Sequence, residues 1–131
     1  MYAAETHSIL VRVDPCFLPQ ESDPGAHQYL WAYTIEIENR SRETVQLLSR
    51  YWRIADATGR IQEVEGPGVI GQQPTLNPGE SFRYTSACPL NTPSGMMVGA
   101  YEMVRTHTGE RFSIAIPAFA LDSPDETRRV N

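Results

Sequence analysis

The sequence predicts an all-β domain: an antiparallel β-sandwich of the immunoglobulin or fibronectin type III kind, with about seven strands. Three observations carry this reading. Apolar and polar residues alternate with a period of two, turn signals separate the alternating runs, and no stretch has the 3.6 period of an amphipathic helix. The Cys-Trp-Cys spacing of an antibody domain is absent.

The elements follow in order. "SILVRV" sets Ile9, Val11 and Val13 in register on one face. "QYLWAYTIEIEN" puts Tyr29, Trp31, Tyr33, Ile35 and Ile37 on one face and Thr34, Glu36 and Glu38 on the other, so the aromatic stripe reads as core. "TVQLLSRYWRIAD" is rich in β-branched and aromatic residues and ends at the turn "DATGR" around Gly59, where Asp56 stands to close the backbone. "IQEVE" begins its partner, so Tyr51 to Glu65 reads as a hairpin. Asn77, Pro78 and Gly79 make the next strong turn signal, and Phe82 and Tyr84 start another strand. "GMMVGAYEMVR", the turn "THTGE" and "RFSIAIPAFAL" complete the set, with Pro117 expected at an edge or a bend. The chain of 131 residues reads as a single domain, its core running from about 9 to 121, with a frayed polar tail over 122–131.

Hydrophobic residues make up 40% of the chain and charged residues 21%, the balance of an ordinary globular domain. A chain of this length buries about two-thirds of its unfolded surface, enough to fold without staples. The net charge is -5, with eleven arginines and no lysine. That acidic total argues against broad contact with nucleic acid or anionic lipid. The start, "MYAAETHSILVRVDP", lacks a basic region and a long apolar core, so neither a signal peptide nor a membrane span is expected, and a cytoplasmic location is. Cys16 and Cys88 lie far apart outside any C-x-x-C and are expected as reduced thiols; a disulfide would need the fold to bring them together.

"EVEGPGVIGQQPTLNPGE" contains Gly66, Gly68 and Gly71 at the G-x-G-x-x-G spacing that cradles pyrophosphate in dinucleotide-binding folds. The context is wrong for that use. Pro74 and Pro78 prevent a helix from following, and Pro67 removes one N–H from the cradle. No acidic residue stands near Asn91 to bind ribose, and Glu63, Glu65 and Glu80 disfavour an anion. A backbone nest needs only successive N–H groups, so Gly66, Gly68 and Gly71 stay a ligand candidate beside the simpler role of allowing positive φ in a turn crossing between the sheets.

Other chemistry is sparse. His7, His27 and His107 lack metal-ligand spacing. Glu63 and Glu65 share a strand face, yet no loop supplies the six or so oxygens a hard cation wants. Ser49, Ser81 and Ser86 stand in no G-x-S-x-G. No catalytic set, metal site or cofactor is expected.

The run "VQLLSRYWRIADATGRIQEVEGPGVIGQQPTLNPGESFRYTSACPLNTPSGMMVGAYEM", with "AYTIEIEN" before it and "FSIAIPAFAL" after it, closely resembles the ApaG family, also called CorD. The resemblance extends from about Ile9 to Leu121 and implies a fibronectin type III-like sandwich. It implies no biochemical activity. Family members have been linked to cobalt tolerance and magnesium efflux, and related domains in larger proteins resemble protein-binding parts. The family's glycine motif, suggested to hold pyrophosphate, falls on Gly66, Gly68 and Gly71. Pro67 and Gln72 depart from it where acidic residues are common.

Two functions therefore stand against each other. One is a non-enzymatic module that binds another protein and affects divalent cations indirectly, with Val69, Ile70 and Leu76 as the apolar surface beside the loop. The other is a small-ligand module taking pyrophosphate or a nucleotide at Gly66, Gly68 and Gly71. Hydrolysis of dinucleoside polyphosphates is the weakest, because the sequence offers no base or metal cluster for it. Exposed sheet edges leave a homodimer open.

Overall fold

The computed structural model describes residues 1–124; the last seven positions of the expected polar tail lie outside the described residues. Among the described residues the chain forms nine strands: β1 Tyr2–Thr6, β2 Ile9–Phe17, β3 Tyr29–Asn39, β4 Val45–Asp56, β5 Ile61–Pro67, β6 Thr75–Leu76, β7 Ser81–Leu90, β8 Gly95–Arg105 and β9 Arg111–Leu121. All pairings are antiparallel. One sheet has the order β1-β2-β3-β7 and the other β5-β4-β8-β9, with β6 also on β4. The two sheets form the sandwich that the alternation predicts. β1 and β6 are additions to the seven expected strands: β1 is short and its adjacent Ala3 and Ala4 break any alternation, and β6 has two residues, too few to show a period.

The predicted stripe is core. Tyr29, Trp31, Tyr33, Ile35 and Ile37 are buried, opposite Val11 and Val13 of β2 within their sheet. Across the sandwich they meet Trp52, Phe119 and their neighbours. Tyr33, Trp52 and Phe119 form a ring cluster with centroids 5.4–5.9 Å apart, in edge and tilted contacts that aromatic quadrupoles favour. No helix of the described residues is long and apolar enough to cross a membrane.

Buried polar groups are paired. Asn39 is fully buried; its Nδ2 donates to the carbonyls of Glu43 and Leu76 at 2.8 and 3.0 Å, and its Oδ1 accepts from Ser41. That side chain ties the β3–β4 connection to β6. Asn77-Pro78-Gly79-Glu80 makes the predicted turn, with Glu80 N–H donating to the Asn77 carbonyl at 3.0 Å and Gly79 at φ 87°, the form that wants glycine third. Asp56 closes the β4–β5 turn by accepting from Thr58 and Arg60, and the Thr58 hydroxyl foremost holds its carboxyl below the usual range. Cys16 is exposed and Cys88 buried, both as free thiols.

Pro117 meets both parts of its expectation. β9 is an edge strand, and the register with β8 shifts between Met97 and Gly99 so that Pro117 and Ala118 oppose Val98 alone. This bulge turns the inward row from Ile114 and Ile116 to Phe119 and Leu121.

Tyr84 of β7 and Tyr101 of β8 are buried and share a hydrogen bond between their hydroxyls across the sandwich. Burial is the leading cause that raises both above the usual tyrosine range. Tyr84→Phe is expected to cost about 1–3 kcal/mol by stranding the other hydroxyl, and the double Phe variant to cost less than the two singles together, read from urea midpoints. The raised folded values stabilise the protein fully below the unfolded tyrosine pKa of about 10. That part is lost as pH rises above it, so the alkaline fall in midpoint should be shallower in the double variant.

Candidate functional site

The site begins with a parity change in β4. Val45 and Leu47 face the core, but so do Trp52 and Ile54. Odd positions point inward before the change and even positions after it. The cause is a bulge: pairing with β8 runs from Leu47↔Met103 to Ser49↔Glu102, leaving Leu48 as the extra residue. One inserted residue flips every later side chain to the other face. Arg50 is thereby placed on the inward row with Trp52 and Ile54, half-buried instead of in water.

The glycine-rich segment is built around this bulge. β5 pairs with β4 from Ala55 to Ser49, and β6 pairs with Gln46 and Val45. The two are thus laid end to end along one edge of β4, and the segment between them spans the bulge. The Leu48 carbonyl accepts from Gly68 N–H and from Gln73 Nε2, both at 2.8 Å. Leu47 N–H donates to the Pro74 carbonyl at 3.0 Å. The expected crossing from sheet to sheet at the glycines is therefore corrected: that crossing happens later, between β6 and β7, because β6 returns to the strand that β5 left.

At its tip the segment is a two-residue hairpin. Val69 and Gln72 exchange both backbone hydrogen bonds at 2.8 Å, with Ile70 at φ 42° and Gly71 at φ 78° between them. Positive φ at both central positions defines a type I′ turn. Gly68 has φ 61°, and a Cβ there would collide with the Gln72 carbonyl. The three amides of Gly68, Val69 and Gln72 are spent within the protein, and Pro67 has none. A phosphate cradle needs those same N–H groups directed outward.

The first glycine has another role. A Cβ on Gly66 would lie 3.0–3.2 Å from the guanidinium of Arg50. The guanidinium rests against this bare backbone, and its Nη1 donates to the Pro67 and Gly68 carbonyls at 3.0 Å each. The motif is thus a seat for an arginine. Arg12, Arg40, Arg105 and Arg111 pair with glutamates; Arg50, like Arg42, Arg53, Arg60 and Arg83, forms no ion pair among the described residues.

Arg50 lines a cleft of about 220 Å³ on the open side of the sandwich, between β4 and β5 on one sheet and β7 on the other. Tyr33, Trp52, Ile54 and Val64 supply apolar wall, and Gln62 and Ser86 supply polar atoms. Ser86 occupies the inward row of β7 between Tyr84 and Cys88, so a small side chain makes the room. Burial pushes the Cys88 thiol at this cleft up to about 11.

Of the three expected ligand glycines, Gly66 lies in β5, paired with Arg50, and Gly68 and Gly71 lie in the hairpin that follows. The expected apolar surface is corrected: Val69 is 0% and Leu76 4% exposed, while Ile70 is 54% exposed. The hairpin folds Val69 back into the core, and β6 pairing turns Leu76 inward. Glu63 and Glu65 are exposed on β5, and the Tyr51 hydroxyl donates to Glu63. His7 packs edge-on against Phe112, with ring centroids 5.6 Å apart. Among the described residues no three of His, Cys, Asp and Glu are gathered as metal ligands. Arg50 escaped the sequence reading because an arginine in a strand reads as solvent-facing. The signal that betrays it is the parity change from Leu47 to Trp52.

The chain matches the family model of the ApaG domain over residues 19–105. It is 59% identical to Protein ApaG of Mesorhizobium japonicum over 131 residues, all of both chains. It is 56% identical to Protein ApaG of Rhodospirillum centenum, again over all of both. A crystal structure from Bordetella pertussis, described as ApaA, superposes with a TM-score of 0.86 at 46% identity, covering 92% of this chain and 97% of that one.

The glycine roles separate by substitution. Gly68→Ala should lower the urea midpoint most, adding its collision to the left-handed penalty of about 1–2 kcal/mol. Gly71→Ala, with open space around its Cβ, should show the left-handed penalty alone. Gly66→Ala should cost least in backbone strain and should perturb the Arg50 Nε–H signal in an NMR spectrum, because the guanidinium must shift.

Proposed function

The chain belongs to the ApaG family, and from that premise we propose that it is a non-enzymatic β-sandwich that binds another protein through the tip of the glycine hairpin. Any influence on cobalt or magnesium homeostasis would then pass through that partner. Ile70 is the observation that carries this reading. It is an exposed, β-branched residue at φ 42°. Such residues are rare at positive φ, where asparagine or glycine costs far less. Exposure of a large apolar side chain adds a second cost. A residue unfavourable on both counts, on a hairpin tied down at Leu48, points to use by a partner. The curated relatives named above carry no enzyme name, which agrees with this reading.

A second exposed apolar group, Ile61, Met96 and Val98, lines a shallow depression on the outer face of the β5-β4-β8-β9 sheet with Arg53 and Ala118. It provides the control surface.

Ile70→Asn creates Asn-Gly, the preferred type I′ pair, and should raise stability by about 1–2 kcal/mol. The same change should reduce capture of a co-purifying protein by the tagged chain, so stability and binding move in opposite directions. Val98→Asp should leave capture intact. No partner above background with the wild type, or equal capture by Ile70→Asn, would overturn the proposal.

A further inference from the structure

We propose that the cleft on the open side of the sandwich is a binding site for a small monocarboxylate with an apolar body, its carboxylate held by Arg50. This site is separate from the Ile70 tip, and it does not use the backbone amides of the glycine motif.

Four observations converge. Arg50 is an inward arginine whose Nη1 is committed to the Pro67 and Gly68 carbonyls. Its Nε and Nη2 have no protein acceptor among the described residues, and no carboxylate pairs with it. A guanidinium fixed on one side has lost much of the freedom it would otherwise give up on binding, and its remaining edge matches the two oxygens of a carboxylate. Trp52, Ile54, Val64 and Met97 give the cleft its apolar wall, while Gln62 and the hydrogen-bonded hydroxyls of Tyr33 and Ser86 give it a polar edge. Apolar wall beside convergent polar groups is the composition of a small-molecule site. At about 220 Å³ it is below the usual range for drug-sized ligands and suits a body of one ring or a short branched chain.

Charge selects among anions. One arginine balances one negative charge. Arg50 is the one charged side chain lining the cleft among the described residues, since Glu63 and Glu65 alternate with Gln62 and Val64 and lie on the outer face of β5; Glu65 and Glu102 line the shallower depression that Arg50 also borders. The chain as a whole carries -5. A pyrophosphate would bring three or so charges to a cleft lined by a single arginine, whereas a monocarboxylate brings the one that Arg50 compensates. Neutral Cys88 adds no competing charge, since its thiol stays protonated near pH 7.

The test is titration of the full chain with benzoate, orthophosphate and pyrophosphate, each to about 10 mM, following the Arg50 Nε–H and Trp52 indole signals by NMR. Benzoate should shift both signals saturably, with pyrophosphate at least tenfold weaker. Arg50→Met should abolish the benzoate shift at Trp52. That variant also frees two carbonyls, so Ser86→Leu serves as a second: it fills the cleft, leaves the arginine seat untouched and should abolish binding while the Gly68 and Val69 amide signals stay in place. No saturable shift with benzoate, a shift retained in both variants, or pyrophosphate binding as tightly as benzoate would each overturn the proposal. None of these outcomes bears on capture through Ile70.

Discussion

A single extra residue in β4 governs the half of this molecule that carries the candidate site. Leu48 interrupts the ladder to β8 and reverses the facing of everything after it. The reversal puts Trp52 and Ile54 into the core, where Trp52 joins Tyr33 and Phe119. It also puts Arg50 on the inward row, where a charge needs acceptors. The bulge leaves the Leu48 carbonyl free of the ladder, and the glycine segment supplies donors for it. Bulge, loop and arginine therefore satisfy one another's polar groups as one unit. Removing any member leaves the others with unpaired atoms.

The glycine motif looks different from this standpoint. Its spacing belongs to nucleotide-binding loops, but each glycine answers a steric demand of this sheet edge. Gly66 leaves space for a guanidinium, Gly68 avoids the Gln72 carbonyl, and Gly71 completes a type I′ turn. A spacing is evidence about ligand binding only when the surrounding elements leave the amides free. Here the Gly68, Val69 and Gln72 amides are bonded within the protein.

Most of the architecture was legible because alternation survives wherever a strand is regular. β3, with its unbroken row from Tyr29 to Ile37, needs no tertiary information. Legibility failed where the period broke. β4 contains two alternations of opposite parity, so a strand was evident while the direction of Arg50 was not. β6 is defined by its partner on β4, which no local pattern announces. Val69 and Leu76 were misplaced for a related reason: apolar residues beside glycines look exposed until the hairpin and β6 turn them inward. Ile70 kept its expected exposure, because the tip of a two-residue turn has nothing to pack against.

The prolines of the strands have a consequence for how the molecule behaves in a crowd. β5 ends at Pro67, β7 carries Pro89 and β9 carries Pro117, all on outer strands of the two sheets. Pro15 sits on β2 just past the point where β1 stops covering it, since β1 begins at Tyr2 opposite Val13. Each proline removes an outward donor from a rim that would otherwise template further strands. Glu63 and Glu65 add charge to the β5 rim, and the hairpin breaks the line between β5 and β6. Sideways growth into ribbons or fibres from the β5, β7 and β9 rims is thereby disfavoured.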